Sequence, residues 1–454
     1  MKDTESRLNY VKPAITRLES GWMNKFALPT IHNQKTRTRI DGVEVAELCE
    51  QYGSPLFVFS EERIRRTARS FRDSFSSRYP NLIFGWSYKT NYLNAISAIF
   101  HQEGSIAEVV SEMEYEKARA LGVSGRDIIF NGPHKTIPAL TRAAQEGAKI
   151  HIDHFDEIED LQQVAKQLGI QVEVGIRINL DSGMRPQWSR FGFNYESGQA
   201  LTAAGQIIKS KNLRLTGLHC HMGTFILDPE IYRVQVIKMI QFSYQLEERY
   251  NTRIEYLDIG GGFPSRNQLK NYTLAVDEVS SIDRFAEVIT EAMFDHLKPG
   301  HLPTLILESG RAMIDSAGFL ITSVFASKRL VDGRKSYILD AGVNLLFTSN
   351  WYKLKVEMDR PTQGQPELSL LNGPLCMNID VVDEGVLLPP LSRGSHLILS
   401  PVGAYNVTQW MQFIEYRPAV VLITTEGTVE IIRQRESLDD MSGPERLPKK
   451  LRLV

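Results

Sequence analysis

The chain has 454 residues, of which 42% are hydrophobic and 23% are charged, and its formal net charge is -2. These are ordinary values for a globular protein, and the length exceeds what one hydrophobic core usually holds, so we expect two domains. The near-neutral charge and the lack of a long basic run argue against nucleic acid as a partner.

The cysteines, the N-terminal segment and the hydropathy pattern bear on location. Cys49, Cys220 and Cys376 lie far apart, which argues against a disulfide framework and against a cysteine-rich zinc site. The first forty residues are polar and contain no apolar signal segment, so we expect an extension that packs on the next domain or frays from it. No stretch approaches the roughly 20 apolar residues of a membrane span. The sequence predicts a soluble cytoplasmic protein without a membrane partner.

A short apolar segment, a polar turn and a helical stretch recur from about residue 57 to 310. The apolar segments are mostly rich in β-branched residues, as is typical of strands buried on both faces. Ser111 and Glu114 have the capping-box spacing of a helix start. The predicted strands are 82–87, 106–110, 127–131, 150–153, 172–178, 215–220, 256–259 and 304–307.

Eight strands alternating with helices match a (β/α)8 TIM barrel in number and size. A doubly wound open sheet is the alternative, because strand order cannot be read from one sequence. Polar residues or glycines at the strand ends favour the barrel, since a barrel gathers these ends at one mouth and an open sheet spreads them along an edge. These residues are Lys89, Glu108, Asn131, Asp153, Arg177, His221, Gly260–Gly262 and Glu308.

The alternation with helices stops after about residue 315. Turn signals at Asp332-Gly333 and Glu426-Gly427 separate further strand patterns at 319–325, 336–339, 396–399, 419–424 and 428–434. We expect an N-terminal extension at 1–55, whose later part joins the β-rich domain. A barrel at 56–315 and a β-rich C-terminal domain at 316–454 complete the division.

Lys89 stands where a lysine can hold a carbonyl cofactor as a Schiff base, although a lone lysine after a strand is more often a solvated loop residue. Two later motifs favour the cofactor interpretation. Gly260–Gly262 can turn backbone N–H groups toward an anion at close range. Glu308-Ser309-Gly310-Arg311 follows the eighth strand, and the loops after strands seven and eight commonly form a barrel's phosphate site. Arg311 offers a fixed positive fork for a phosphate.

Glu308 and His221 could complete such a site. A carboxylate beside a pyridine nitrogen keeps it protonated, so that the ring accepts electrons; an ion pair between Glu308 and Arg311 is the alternative. His219 and His221 share one strand face, but no carboxylate cluster completes a ligand set, so we predict no metal. The flat ring of His221 fits better against a cofactor face.

Six motifs in chain order resemble the fold-type III pyridoxal-phosphate-dependent decarboxylases, the group of the diaminopimelate and ornithine decarboxylases. The resemblance covers about residues 50 to 440; each motif is weak alone, and six in register are specific. They are Tyr88-Lys89-Thr90-Asn91, His219-Cys220-His221-Met222-Gly223-Thr224, Gly260-Gly261-Gly262, Glu308-Ser309-Gly310-Arg311, Gly373-Pro374-Leu375-Cys376 and Gly403-Ala404-Tyr405.

The resemblance implies an alanine-racemase-like barrel with a β domain, pyridoxal 5'-phosphate as cofactor, and a head-to-tail homodimer with two active sites at its interface. Lys89 is implied to form the Schiff base. Cys376, contributed by the other subunit, is implied to protonate the carbanion left by carbon dioxide; a buried structural cysteine is the alternative. The implied cofactor-binding residues are Lys89, Glu108, Arg177, His221, Thr224, Gly260, Gly261, Gly262, Glu308, Gly310, Arg311 and Tyr405.

Two positions depart from the family pattern. Met377 stands where diaminopimelate decarboxylases have a glutamate for the distal ammonium and ornithine decarboxylases an aspartate, and Thr348 stands where the former have an arginine for the distal carboxylate. Without these groups the distal charges of diaminopimelate lack charge-assisted hydrogen bonds. We therefore expect a different distal group, such as that of a larger amino-acid conjugate. Arg185 is a possible replacement anchor or a solvated loop residue.

Two alternatives to an amino-acid decarboxylase remain. An amino-acid racemase of the same fold shares the lysine and the barrel but has no need of the Gly-Pro-Leu-Cys segment. A catalytically silent paralogue could bind and regulate a partner enzyme, although Lys89, Glu308, Arg311 and Cys376 together speak against it.

Overall fold

The computed structural model describes residues 36–270 and 279–452. Most of the predicted N-terminal extension, residues 1–35, lies outside the described residues. Within those two ranges, no helix is both long and apolar enough to cross a membrane.

Eight parallel strands of the described chain close into a barrel, because the eighth strand pairs with the first. Their carboxyl ends meet at one mouth, and the prediction of a (β/α)8 barrel is confirmed. The strands are Leu82–Ser87, Ile106–Val109, Ile128–Phe130, Lys149–Ile152, Val172–Asn179, Leu213–Cys220, Tyr256–Asp258 and Thr304–Ser309. A short strand, Phe193–Asn194, pairs in parallel with the end of the fifth.

Helices outside the barrel cover its strands. Ser111 begins one of them by accepting from the Glu114 N–H at 3.2 Å, and the Glu114 carboxylate accepts in return from the Val110 N–H at 2.8 Å. These bonds fix the chain just beyond the second strand. The helices of this part are Glu61–Ser76, Asn94–Gln102, Glu112–Ala120, Ile137–Glu146, Phe155–Leu168, Gln199–Lys209, Glu230–Tyr250, Ile282–His296 and Arg311–Ile314, and Tyr88–Thr90 forms a 3-10 turn.

A second, mainly antiparallel sheet contains the C-terminal strands, as predicted. Leu56–Ser60 belongs to this sheet, where it lies between Gly318–Arg329 and Ala419–Ile423. The sheet is completed by Lys335–Leu339, Lys355–Met358, Glu367–Asn372, Val381–Leu388, His396–Ser400 and Val429–Arg433. The helix Val45–Tyr52 packs beside this sheet. Two small separate sheets are formed by the pairing of Arg39–Ile40 with Val43–Glu44 and of Gln268–Leu269 with Tyr352–Lys353. The last helix is the short segment Leu438–Ser442.

The domain division remains our proposal, with a barrel at 56–315 and a β-rich part at 316–454 joined by the end of the N-terminal extension. Leu56–Ser60 is fully buried in the second sheet, so the proposed boundary falls within a strand that serves that sheet. The first strand of the barrel itself is Leu82–Ser87.

Backbone contacts from the β-rich part hold the turn that carries Lys89. The Tyr405 N–H donates to the Thr90 carbonyl at 2.9 Å, and the Thr408 hydroxyl donates to the Lys89 carbonyl at 2.9 Å. The second sheet therefore helps to position the lysine at the mouth of the barrel.

Candidate active site

A cavity of about 940 Å³ opens at the mouth of the barrel. It brings together residues from most of the strand ends and from the Tyr405 segment of the β-rich part. The predicted site residues that line it are Lys89, Glu108, Arg177, Arg185, His221, Thr224, Gly261, Gly262, Glu308, Gly310, Arg311 and Tyr405. Gly260 lies directly behind His221, where a Cβ atom would come within 2.8 Å of its Nδ1.

Lys89 stands in a set of short polar contacts on the floor of the cavity. Its Nζ lies 2.5 Å from Glu108 Oε2 and donates to Ser87 Oγ at 2.8 Å. Burial alone would lower the pKa of Lys89, but the charges of Glu108 and Glu308 outweigh it and hold the pKa above its ordinary value. The amine is therefore held as an ammonium beside the Glu108 carboxylate.

Glu308 is buried beside two groups from other parts of the barrel, one just after the third strand and one on the sixth. Asn131 Nδ2 donates to Glu308 Oε1 at 2.5 Å and to Glu108 Oε1 at 3.0 Å, and His219 Nε2 lies 3.3 Å from Glu308 Oε2. Asp258 is fully buried nearby. Burial and the charge of Glu308 raise the pKa of Asp258 well above its usual range, which favours the uncharged carboxyl beside Glu308.

His151 and His219 are buried neutral imidazoles at the floor of the cavity, and His219 lines it. Their rings stack with centroids 4.8 Å apart. Burial, with the charge of the neighbouring groups, lowers the pKa of each well below the usual histidine value. Ligand atoms of His151, His219 and Glu308 lie within 4.8 Å of one another. Both His151 nitrogens already bond to protein, Nδ1 to Asn131 at 2.6 Å and Nε2 to the Tyr256 hydroxyl at 3.0 Å, so the geometry favours a hydrogen-bond network over a metal centre.

His221 is held in one tautomer at the side of the cavity. The Gly261 N–H donates to His221 Nδ1 at 3.1 Å, which leaves the ring proton on Nε2. Burial and the positive charge of Arg177 lower the pKa of His221 well below its usual value. Trp188 meets the imidazole edge to face, with centroids 5.6 Å apart. The ring is therefore a fixed, uncharged surface.

An anion-binding corner lies around Arg311. Arg311 is 7% exposed, and its guanidinium lies over the rings of Tyr405 and Tyr352, at 4.6 and 5.0 Å from their centroids. Its Nη2 reaches Thr224 Oγ1 at 3.4 Å, but Nε and Nη1 have no hydrogen-bond partner among the described residues. Buried guanidinium groups require such partners, so the corner suits an anion.

The glycines of this corner bring backbone close to the same place. A Cβ atom on Gly262 would lie 2.4 Å from the Gly223 carbonyl, and one on Gly310 would lie 2.0 Å from Thr90 Oγ1. The N–H groups of Gly262 and Gly310 donate to no atom in the parts of the chain that the structure describes. Free N–H groups beside an unpaired arginine fit a phosphate, and Glu308 and Lys89 fit the ring nitrogen and aldehyde of a pyridoxal.

Besides Gly260, three predicted residues do not line the cavity of a single chain. Cys376 is exposed. Thr348 is buried, and its hydroxyl donates to Asn406 Oδ1 at 2.9 Å. Met377 follows Cys376, and the buried Asp380 binds their loop to the Thr348 segment by accepting from the Leu375 and Val343 N–H groups, both at 2.7 Å. The loop of Cys376 and Met377 is thus braced against the segment that leads to the buried Thr348, and all three residues lie outside this cavity.

Several residues that shape the site were not singled out from the sequence. Asn131 was noted only as a strand end, and His151, Tyr256 and Asp258 were not assigned a role. The available signal was a polar side chain inside an apolar strand, as for His151 between Ile150 and Ile152. That pattern does not tell which strands face one another.

The arrangement of a buried lysine, a buried carboxylate and an anion-binding corner fits one class of enzyme, the barrel proteins that bind pyridoxal phosphate. The family model of the pyridoxal-binding domain of pyridoxal-dependent decarboxylases matches residues 61–315. The chain belongs to this family, so it is a pyridoxal-phosphate-dependent carboxy-lyase of amino-acid metabolism.

Curated relatives and solved structures agree with this assignment. The chain is 27% identical over 439 residues to a diaminopimelate decarboxylase of Methanocaldococcus jannaschii, covering 93% of this chain and 98% of the relative. A diaminopimelate decarboxylase of Bacillus subtilis is 27% identical, with 90% and 95% covered.

The crystal structure of the M. jannaschii enzyme superposes with a TM-score of 0.84 at 27% identity and covers 91% of this chain and 96% of that one. A lysine/ornithine decarboxylase of Vibrio vulnificus, complexed with putrescine, gives 0.71 at 25% identity, with 85% and 98% covered.

Because His219 is buried and neutral, we predict that the free energy of unfolding depends on pH. The unfolded chain takes up a proton at this histidine below about pH 6.5 and the folded chain does not, so its contribution to stability is lost as the pH falls. Relative to His219→Gln, wild type should lose about 1.4 kcal/mol of unfolding free energy per pH unit below about pH 6.

Urea unfolding at several pH values measures this difference, and His134→Gln controls for the loss of an exposed imidazole. Parallel pH profiles for wild type and His219→Gln would show that His219 titrates in the folded protein.

Proposed function

We propose that this chain decarboxylates an amino acid whose distal end differs from that of diaminopimelate, in active sites shared between two subunits. The observation that carries the catalytic part is Lys89, paired with Glu108 on the floor of a cavity that also contains Glu308 and the unpaired Arg311. In this proposal Lys89 would bind the cofactor aldehyde. Gly261, Gly262, Gly310, Arg311, Thr224 and Tyr405 would hold the phosphate.

When bound, pyridoxal phosphate supplies an electron sink for the electron pair released as the carboxylate leaves as carbon dioxide. Glu308 would hold the proton on the ring nitrogen, and the Asn131 amide that donates to it keeps its carboxylate in place. The neutral face of His221 would support the ring from one side, since Gly261 fixes its orientation.

Glu108 would hold the amine of Lys89 in place. Its carboxylate accepts from Lys89, Ser87 and Asn131, so it would stabilise the positive charge of the lysine nitrogen. Arg177 lines the same cavity 3.7 Å from Asp153 and over the ring of Phe191, which would fix its guanidinium beside the reacting groups.

Cys376 would reach an active site only across a subunit interface. It is exposed next to Met377, and Ile379 in the same loop is 69% exposed. Asp380 braces this loop from beneath, so it can present a thiol at a fixed place. In a homodimer this surface would cover the cavity of the other subunit, and the thiol would donate the proton that replaces the lost carboxylate.

The residues that bind the distal end of the substrate in the family are not present in this protein. Thr348 is short and bonded to Asn406, and Met377 carries no charge, so neither can pair with an ammonium or a carboxylate. The outer cavity is instead lined by Met184, Trp188 and Trp351. A longer, partly apolar conjugate of an amino acid suits these surroundings better than diaminopimelate.

Borohydride reduction tests the role of Lys89. The purified protein should absorb in the visible range, and reduction followed by peptide mass mapping should place a pyridoxyl group on Lys89. Lys89→Ala should lose the absorbance band and all turnover, whereas Lys117→Ala, a lysine outside the cavity, should keep both. A pyridoxyl group on another lysine, or a protein that takes up no pyridoxal phosphate, would contradict the assignment.

Mixing two inactive variants tests the shared active site. Cys376→Ala should retain the cofactor absorbance but release carbon dioxide slowly. When Cys376→Ala and Lys89→Ala are unfolded, mixed and refolded together, half of the dimers contain one intact site, so activity should recover to about one quarter of wild type for a two-fold assembly. Recovery that stays at the sum of the two variants would show that both residues serve the same subunit.

A substrate comparison tests the distal end. Carbon dioxide release from meso-diaminopimelate, lysine and ornithine should be far slower than from amino acids that carry an amide-linked acyl group on the side-chain nitrogen. If meso-diaminopimelate were decarboxylated as fast as by the B. subtilis relative, the proposal of a different distal group would be wrong.

A further inference from the structure

The cavity contains one arginine whose charge the proposed reaction does not use. Arg185 lies in the loop after the fifth barrel strand and lines the cavity together with Met184 and Trp188. Its guanidinium rests against Gly223, where a Cβ atom would lie 3.0 Å from Nη2 and 3.1 Å from Cζ. The glycine therefore lets the guanidinium settle against the backbone beside His221.

The other charged side chains that line the cavity already have partners or assigned roles. Lys89 pairs with Glu108, Arg177 lies 3.7 Å from Asp153, and Arg311 faces the proposed phosphate corner. Within residues 36–270 and 279–452, Arg185 forms no ion pair and no hydrogen bond through its side chain.

Asp228 and Glu308 are the remaining carboxylates of the cavity lining. Asp228 Oδ1 accepts from the Glu230 N–H at 3.0 Å at the start of a helix, and Glu308 is bonded on the floor to Asn131. Neither pairs with Arg185, so the outer cavity has a positive charge without a carboxylate partner.

We propose that Arg185 is a specificity-determining residue that binds a carboxylate at the far end of the substrate's side chain. Met184 and Trp188 would cover the arm that leads to this carboxylate. The substrate class is thus an amino acid whose side chain carries an acid-terminated acyl group, with no ammonium beside the terminal carboxylate. This inference rests on the proposed function, because it names the distal group of the same substrate.

The position of Arg185 separates this role from phosphate binding. Arg311 is buried among Tyr352, Tyr405 and Phe225, as suits a group that holds a resident cofactor. Arg185 is only half-buried, in a loop where Met184 is 43% and Trp188 is 37% exposed. A cation at the rim meets the part of a substrate that extends out of the cavity.

A pair of unreactive probes tests this assignment by binding alone. N-succinyl-β-alanine ends in a carboxylate, N-succinamoyl-β-alanine ends in the matching carboxamide, and both lack the α-amine that would react with the cofactor. Calorimetry on the cofactor-loaded enzyme should show roughly tenfold tighter binding of the carboxylate probe, the lower end expected for a partly exposed charge-assisted hydrogen bond. Arg185→Gln should abolish this preference.

Two variants and a cofactor titration complete the test. Arg190→Gln removes an exposed arginine of the same loop that lies over Phe191 and should keep the preference, and Arg185→Lys should keep part of it. Affinity for pyridoxal phosphate, from fluorescence titration, should be equal in wild type and Arg185→Gln. A preference that survives in Arg185→Gln, or is absent from wild type, would overturn the assignment, as would weaker cofactor binding in Arg185→Gln.

Carbon dioxide release from the α-amino analogues of both probes distinguishes the two proposals. Binding preference without carbon dioxide release would leave the subsite intact and refute the proposed reaction. Equal release from both analogues, with no binding preference, would refute the subsite and leave the decarboxylase proposal in place.

Discussion

The buried carboxylate of Glu308 is the constraint on which the mouth of the barrel depends. An ionised group out of water is stable only when charges or hydrogen bonds compensate it. Asn131 supplies one N–H to Glu308 and the other to Glu108, so its amide oxygen must accept from His151 Nδ1. Neutral His151 then accepts at Nε2 from the Tyr256 hydroxyl. Every donor in this series of hydrogen bonds, from Tyr256 through His151 to Asn131, points toward the two carboxylates.

This directional order requires the low pKa of the buried histidine. Protonation of His151 would place a second N–H against the Tyr256 hydroxyl and reverse that bond. Burial and the nearby His219 oppose the protonation, and so the network keeps one arrangement of protons. The carboxylate of Glu308 consequently remains available to a partner in the cavity, while the protein side of the group is fixed.

The barrel could be predicted from the sequence, but this hydrogen-bond network could not. The eight strands could be predicted because each is a short apolar segment bounded by polar turns, and their polar ends indicated a common mouth. Leu56–Ser60 has the same pattern, and nothing local tells that it pairs with Gly318–Arg329 in the other sheet. Val381–Leu388 was not predicted because Asp383, Glu384 and Gly385 interrupt its apolar pattern.

Among the residues of the candidate site, some could likewise be predicted from the sequence and others could not. Lys89, Glu308 and Arg311 were found because they lie at or just after the ends of predicted strands. In a barrel these strand ends lie at the mouth, so the position of a residue along the chain was sufficient to place it there. His151 and Tyr256 come from the fourth and seventh strands, and only closure of the barrel brings their side chains within hydrogen-bond distance. Interactions across a barrel depend on register and tilt, which a single sequence does not specify.

In the family, the distal group is recognised by residues at the positions of Thr348 and Met377. We propose instead that Arg185, in a loop of the barrel, recognises it here. Met377 belongs to the loop braced by Asp380, Thr348 is buried against Asn406, and in a shared active site Met377 would come from the other subunit. Arg185 lies in a barrel loop of the subunit that contains Lys89. An anchor there lets one subunit hold both ends of the substrate, so the second subunit would be needed for protonation by Cys376 rather than for recognition. Binding of an acid-terminated ligand would then be independent of the Cys376 surface.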